Sequence, residues 1–134
     1  MQRRMLSKAD EEAGEEVEVR RVDQDKINRF SRLHGREVSL QEELDTKGKE
    51  KEEIEDLTTE LELADEDEKI QYKIGDSYFH VSVEQAQEML QKATETLEGD
   101  SNDLEEKLDK VREELKQLKV DLYARFGKQI NLET

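Results

Sequence analysis

"KIQYKIGDSYFHV", residues 69–81, interrupts a chain otherwise built of charge and of aliphatic residues at helical spacing. It brings together two tyrosines, a phenylalanine, β-branched residues and a Gly-Asp pair. Such composition suits strands, and Gly75-Asp76 supplies a two-residue turn in which glycine tolerates positive φ. Counting outward from the turn pairs Ile74 with Ser77, Tyr72 with Phe79 and Ile70 with Val81. Cross-strand partners share a face. Ile70, Tyr72, Ile74, Phe79 and Val81 therefore form one apolar face, with Gln71, Lys73, Tyr78 and His80 on the other. A lone two-stranded hairpin is barely stable in water, and its open edges invite pairing with another chain. The hairpin reads as an assembly device that joins a sheet built from several subunits.

What flanks it cannot be an ordinary globule. The chain has 134 residues, of which 44% are Lys, Arg, Asp or Glu and only 32% are apolar; there is no tryptophan, proline or cysteine. So few core formers leave two choices: disorder, or a narrow apolar stripe along long helices. The absence of proline favours helices, since proline breaks them. Without cysteine there are no disulfides or thiolate metal sites, which is compatible with a reducing compartment. No apolar run is long enough for a membrane span, and no signal-peptide core follows the start. A net charge of −15 argues against direct nucleic-acid binding, which wants concentrated basic charge. The acidity serves solubility and keeps neighbouring arms apart; it could also favour basic partners. These features describe a soluble, intracellular coiled-coil protein.

Around the hairpin the chain divides simply. Residues 1–21 mix both signs of charge without a lasting period and read as a mobile tail. A helix is expected from about Asp23 to Ala64. Alternating four-three spacing places Phe30, Leu33, Glu37, Leu40, Leu44, Lys47, Lys51, Ile54, Thr58 and Leu61 on one seam, the heptad rhythm of a coiled coil. Glu37, Lys47, Lys51 and Thr58 interrupt that seam, and Gly35 and Gly48 weaken the helix, so it needs a partner. After the acidic "ADEDE" and the hairpin, "SVEQ" forms a capping box with Ser82 as N-cap and Gln85 reaching back. The second helix, about 82–126, has the stronger seam: Leu90, Thr94, Leu97, Ser101, Leu104, Leu108, Val111, Leu115, Leu118 and Leu122. Gly99 is its expected soft point, and Gly127 its natural stop. Two helices of matched length, each about 60–67 Å long, joined by one short connection, imply an antiparallel hairpin. The fold class is thus all-α dominated: a long antiparallel two-helix coiled coil with one short β-hairpin between the helices.

The far end of this coiled coil is rich in apolar residues. Ile27, Phe30 and Leu33 open the first helix; Leu122, Tyr123, Phe126, Ile130 and Leu132 close the second and its short tail, 127–133. Two readings stay open. These residues staple fraying ends together, or some of them form a partly exposed apolar patch of the kind that marks a binding site.

Little here suggests chemistry. "GDS" at 75–77 sits in a tight turn, and the only histidines, His34 and His80, are too far apart to complete a triad or a metal site. In "DEDEKI", 65–70, Ile70 stands where a calcium loop needs glycine. No phosphate-binding glycine loop is present. The expectation is no catalysis, no metal and no cofactor.

Three stretches carry a family resemblance: "VDQDKINRFSRL" at 22–33, "IGDSYFHVSVEQAQEML" at 74–90 and "LKVDLYARFGKQINLE" at 118–133. Together they resemble prefoldin, specifically its β-type subunits, which carry one hairpin where α-type subunits carry two. The closing "LYARFG…INLE" is the most specific part; the middle heptads are common to many coiled coils. The resemblance covers 22–133 and implies a heterohexamer of two α-type and four β-type subunits, whose hairpins build a central β-barrel. It implies capture of unfolded actin, tubulin and other chains at the coiled-coil tips, without ATP, and transfer to the cytosolic chaperonin. Carried over by position, Ile70, Tyr72, Ile74, Gly75, Phe79 and Val81 fall in the assembly hairpin. Ile27, Phe30, Leu33, Leu122, Tyr123, Phe126, Ile130 and Leu132 fall at the client-holding tip. The implied location is cytoplasmic, with the nucleus left open. Gly48 and "EGDSN" at 98–102 depart from the pattern and bear on the stiffness of the arms.

Two functions remain in contention: one arm of a holding chaperone, or a passive tether whose tips are merely stapled shut. Membership of a prefoldin-like assembly complex is a variant of the first.

Overall fold

The computed structural model describes residues 17–64, 69–74 and 77–132, and of residues 69–80 only the backbone. The order is helix α1 (Arg21–Glu62), strand β1 (Lys69–Ile74), strand β2 (Ser77–Ser82), helix α2 (Val83–Phe126) and a 3-10 turn, Gly127–Gln129. This is the expected helix–hairpin–helix pattern.

Local chemistry sets the ends. The α1 helix begins two residues before the expected Asp23. The reason is that Asp23 lies inside the first turn and turns back: its Oδ2 accepts the Arg20 N–H at 3.0 Å, while the Arg20 carbonyl accepts the Gln24 N–H. Arg20 is thereby the cap residue, satisfied by an acid three positions on. At its other end α1 stops at Glu62, two residues short of the expected Ala64. Leu63 and Ala64 donate instead to the carbonyls of Glu60 and Leu61, tightening the last turn. No basic residue in that turn offsets the helix dipole. The capping box of α2 is fully formed: the Gln85 N–H donates to Ser82 Oγ and the Ser82 N–H to Gln85 Oε1, both at 3.1 Å. Gly127, with φ of 56°, ends α2 as a left-handed C′ residue. Both helices run unbroken through Gly35, Gly48 and Gly99.

The strands pair antiparallel in the expected register, Ile70 with Val81, Tyr72 with Phe79 and Ile74 with Ser77. The Gly75-Asp76 turn, the tail up to Glu16 and the acidic 65–68 lie outside the described residues. So do the side chains of Ile70, Tyr72, Ile74 and Phe79.

The chain divides into two compact units. In the unit made of residues 43–105, Leu61, Ala86 and Leu90 form a buried cluster with Ile54 and Val81 packed against it. Interruptions of the seam are satisfied locally. Thr58 and Thr94 donate their hydroxyls to the carbonyls of Ile54 and Leu90, and Lys47 reaches Glu50 and Asp100. Lys51 points to solvent.

In the unit made of residues 1–42 and 106–134, Ile27, Phe30, Leu33 and Leu40 of α1 are buried with Leu108, Val111, Leu115, Leu118 and Leu122 of α2. Ion pairs flank this stripe in antiparallel register: Lys26 with Asp121, Arg29 with Glu114, Arg112 with Glu37. Glu37, an acid on the seam, is thus half-buried and held between Arg112 and His34.

Candidate functional site

The end of this unit where α1 begins and α2 finishes holds every residue expected at the tip. Ile27, Phe30, Leu33, Leu122, Phe126, Ile130 and Leu132 are all buried, and Tyr123 is half-buried. Beside them Val19 and Val22 stay exposed, so this end carries both a buried set and an open apolar margin. The segment after α2 folds back onto this end. Gly127 turns the chain, Ile130 is extended (φ −123°, ψ 140°), and the Leu132 N–H donates to the Tyr123 hydroxyl at 3.3 Å. In extended backbone alternate residues share a face. Accordingly Ile130 and Leu132 are buried while Asn131 between them is exposed.

Exposure varies along the seam of this unit. Leu115 and Leu118, in the same unit, keep 7% and 9% of their surface. Phe30 and Leu122 keep 1%, and Leu132 keeps none. These three are the largest side chains buried below 2%. Lys119 flanks Phe30, its Nζ 6.0 Å from the centre of the ring.

A polar clasp sits beside this plug. Arg125 Nε donates to Asp23 Oδ2 at 2.7 Å, and its NH2 group donates to the Glu18 carbonyl at 2.7 Å. Arg20 Nε approaches the same carboxylate oxygen at 3.4 Å. Burial alone pushes the Asp23 carboxyl up. The hydrogen bond from Arg125, those from Arg20 and the Arg125 charge outweigh burial and hold it below its ordinary value. The sequence reading placed Asp23 only at a helix start and passed over Arg125; an acid in a first turn was the available signal. Among the described residues, no group of three or more His, Asp or Glu is placed to hold a metal, and no helix is long and apolar enough to cross a membrane.

Against known proteins, the family model described as "Prefoldin subunit" matches residues 24–129, which takes in the hairpin, all of α2 and α1 from Gln24 onward. The chain belongs to the prefoldin family. Similar prefoldin relatives include proteins named "Prefoldin subunit 4" from Bos taurus and Homo sapiens, each 42% identical over 122 residues, covering 90% of this chain and 91% of theirs. The Saccharomyces cerevisiae protein of the same name is 41% identical over 111 residues, 83% of this chain and 86% of its own. Both candidate regions, the hairpin and all tip residues except Ile130 and Leu132, lie within the prefoldin match.

Proposed function

We propose that this chain is one arm of a heterohexameric prefoldin co-chaperone, which captures unfolded chains at the ends of its coiled coils and passes them to the cytosolic chaperonin without ATP. The hairpin is the assembly element: Ile70, Tyr72, Ile74, Gly75, Phe79 and Val81 join strands from other prefoldin subunits. Among the described residues the sheet has only two strands, and this observation carries the reading. Such a sheet exposes unpaired edges and gains stability by pairing with neighbours. Unfolded actin and tubulin are the proposed clients, held by Ile27, Phe30, Leu33, Leu122, Tyr123, Phe126, Ile130 and Leu132. Several weak apolar tips on one body raise the effective concentration for each further contact, while each contact stays weak enough to release.

The tests are direct. Mixing the purified chain with the other prefoldin subunits and recording native mass should give a defined hexamer containing one copy. A stable homodimer indifferent to those subunits would sink the assembly reading. Exchanging Tyr123→Ser and Phe126→Ser in the complex should abolish suppression of client aggregation and leave the hexamer intact.

The buried tip residues favour one competing reading, a passive tether with stapled ends. That reading requires the Tyr123→Ser, Phe126→Ser complex to hold clients as before, with only its stability reduced.

A further inference from the structure

Phe30, Leu122 and Leu132 are almost wholly buried at this end, and a buried surface binds nothing until its cover leaves. The cover here has the form of a ligand. It is a short segment, extended at Ile130, aliphatic at Ile130 and Leu132 and polar at the exposed Asn131 between them, with the Leu132 N–H donated to the Tyr123 hydroxyl. It joins α2 through Gly127, whose positive φ makes it a joint rather than a continuation of the helix.

We infer that the trough beneath Ile130 and Leu132 is itself the client surface, and that residues 130–132 occupy it as an internal stand-in for a client. This rests on the proposed chaperone role and specifies the partner: an extended, unfolded segment with large aliphatic residues at alternate positions. Phe30, Leu122 and Phe126 offer such a segment apolar area. The Tyr123 hydroxyl accepts a backbone N–H, which every residue but proline supplies. That combination reads extended backbone and aliphatic bulk and no particular sequence, which suits a binder of many unfolded chains. Occupation in cis lowers apparent affinity by the fraction of time the trough is open, so each arm binds weakly and releases by re-covering itself.

The test uses a fluorescent peptide of residues 127–134, GKQINLET, as the probe. Three forms of the chain are compared: unaltered, truncated after Phe126, and full-length with Ile130→Ser and Leu132→Ser. Both altered forms should bind the peptide about tenfold or more tighter than the unaltered chain, because the competing segment is gone. A peptide carrying serine at both aliphatic positions should not bind. Excess GKQINLET should also displace a chemically denatured model protein from the unaltered complex, an arm that does not depend on either altered form folding. The inference is overturned if altered chains that keep their helical circular dichroism ignore the peptide. It is equally overturned if the peptide binds them and leaves client holding unchanged. Failure of the chaperone role looks different: the Tyr123→Ser, Phe126→Ser complex then holds clients normally, whatever the peptide does.

Discussion

Arg125 and Asp23, 102 positions apart in the chain, meet with Nε 2.7 Å from Oδ2 where α1 begins and α2 ends. The carboxylate is 3% exposed, so its charge depends on this partner and on Arg20. Replacing Asp23 with asparagine should cost about 2 kcal/mol, the scale of a charged hydrogen bond in a shielded site. Urea unfolding followed by circular dichroism measures it, and a loss under a few tenths would deny the clasp its role.

The same carboxyl gives a pH dependence with a definite sign. Its pKa is lower folded than unfolded, so the unfolded chain binds more protons in the window between the two values. The clasp contributes fully above the ordinary carboxylate pKa, about 4, and its contribution is lost as pH falls from there towards the lowered folded value. Comparing melting temperatures of the unaltered chain and Asp23→Asn between neutral and acid pH should show the difference shrinking as the solution is acidified. A constant gap would contradict it.

The helix glycines and the C′ glycine should respond oppositely to alanine. Gly35 and Gly48 lie mid-helix with no atom within 4 Å of an added Cβ. Each change to alanine should stabilise by about 0.5–1 kcal/mol. Gly127 also has open space around it, but its φ of 56° strains any other residue, so Gly127→Ala should cost about 1 kcal/mol. Thermal melts of the three variants decide this; equal shifts would refute the assigned backbone roles.

Breaking the capping box by Ser82→Ala should cost about 1 kcal/mol, since it strands the Gln85 N–H that Ser82 Oγ now accepts. Hydrogen exchange should quicken in the first turn of α2 and leave its last turns unchanged.

Arg29 and Glu114 make two hydrogen bonds, at 2.9 and 3.1 Å, across the helix pair, yet both side chains are about half exposed. A double-mutant cycle should return no more than about 0.5 kcal/mol, falling with added salt. A salt-independent coupling of several times that size would mean the pair is shielded.

The seam of α2 was legible because aliphatic residues recur there with hardly a gap, and each of them is buried. The hairpin register was legible because Gly75-Asp76 is a turn signal in the sequence and pairing follows from it by counting. Arg125 and Asp23 were not, because a long-range pair needs the mutual register of two helices, which periodicity leaves open by a turn or more. Nor was the fate of Ile130 and Leu132. Two aliphatic residues in a short tail have no period, and whether they fold back depends on a positive φ at Gly127 and one hydroxyl on Tyr123.

Leu132 is the most deeply buried of the described side chains and stands five positions after the turn at Gly127. Any affinity tag or fluorescent protein inserted directly after it would pull on a side chain held against the end of the helix pair. Labels intended to report on this protein in its assembled state belong instead on exposed helix positions such as Lys51.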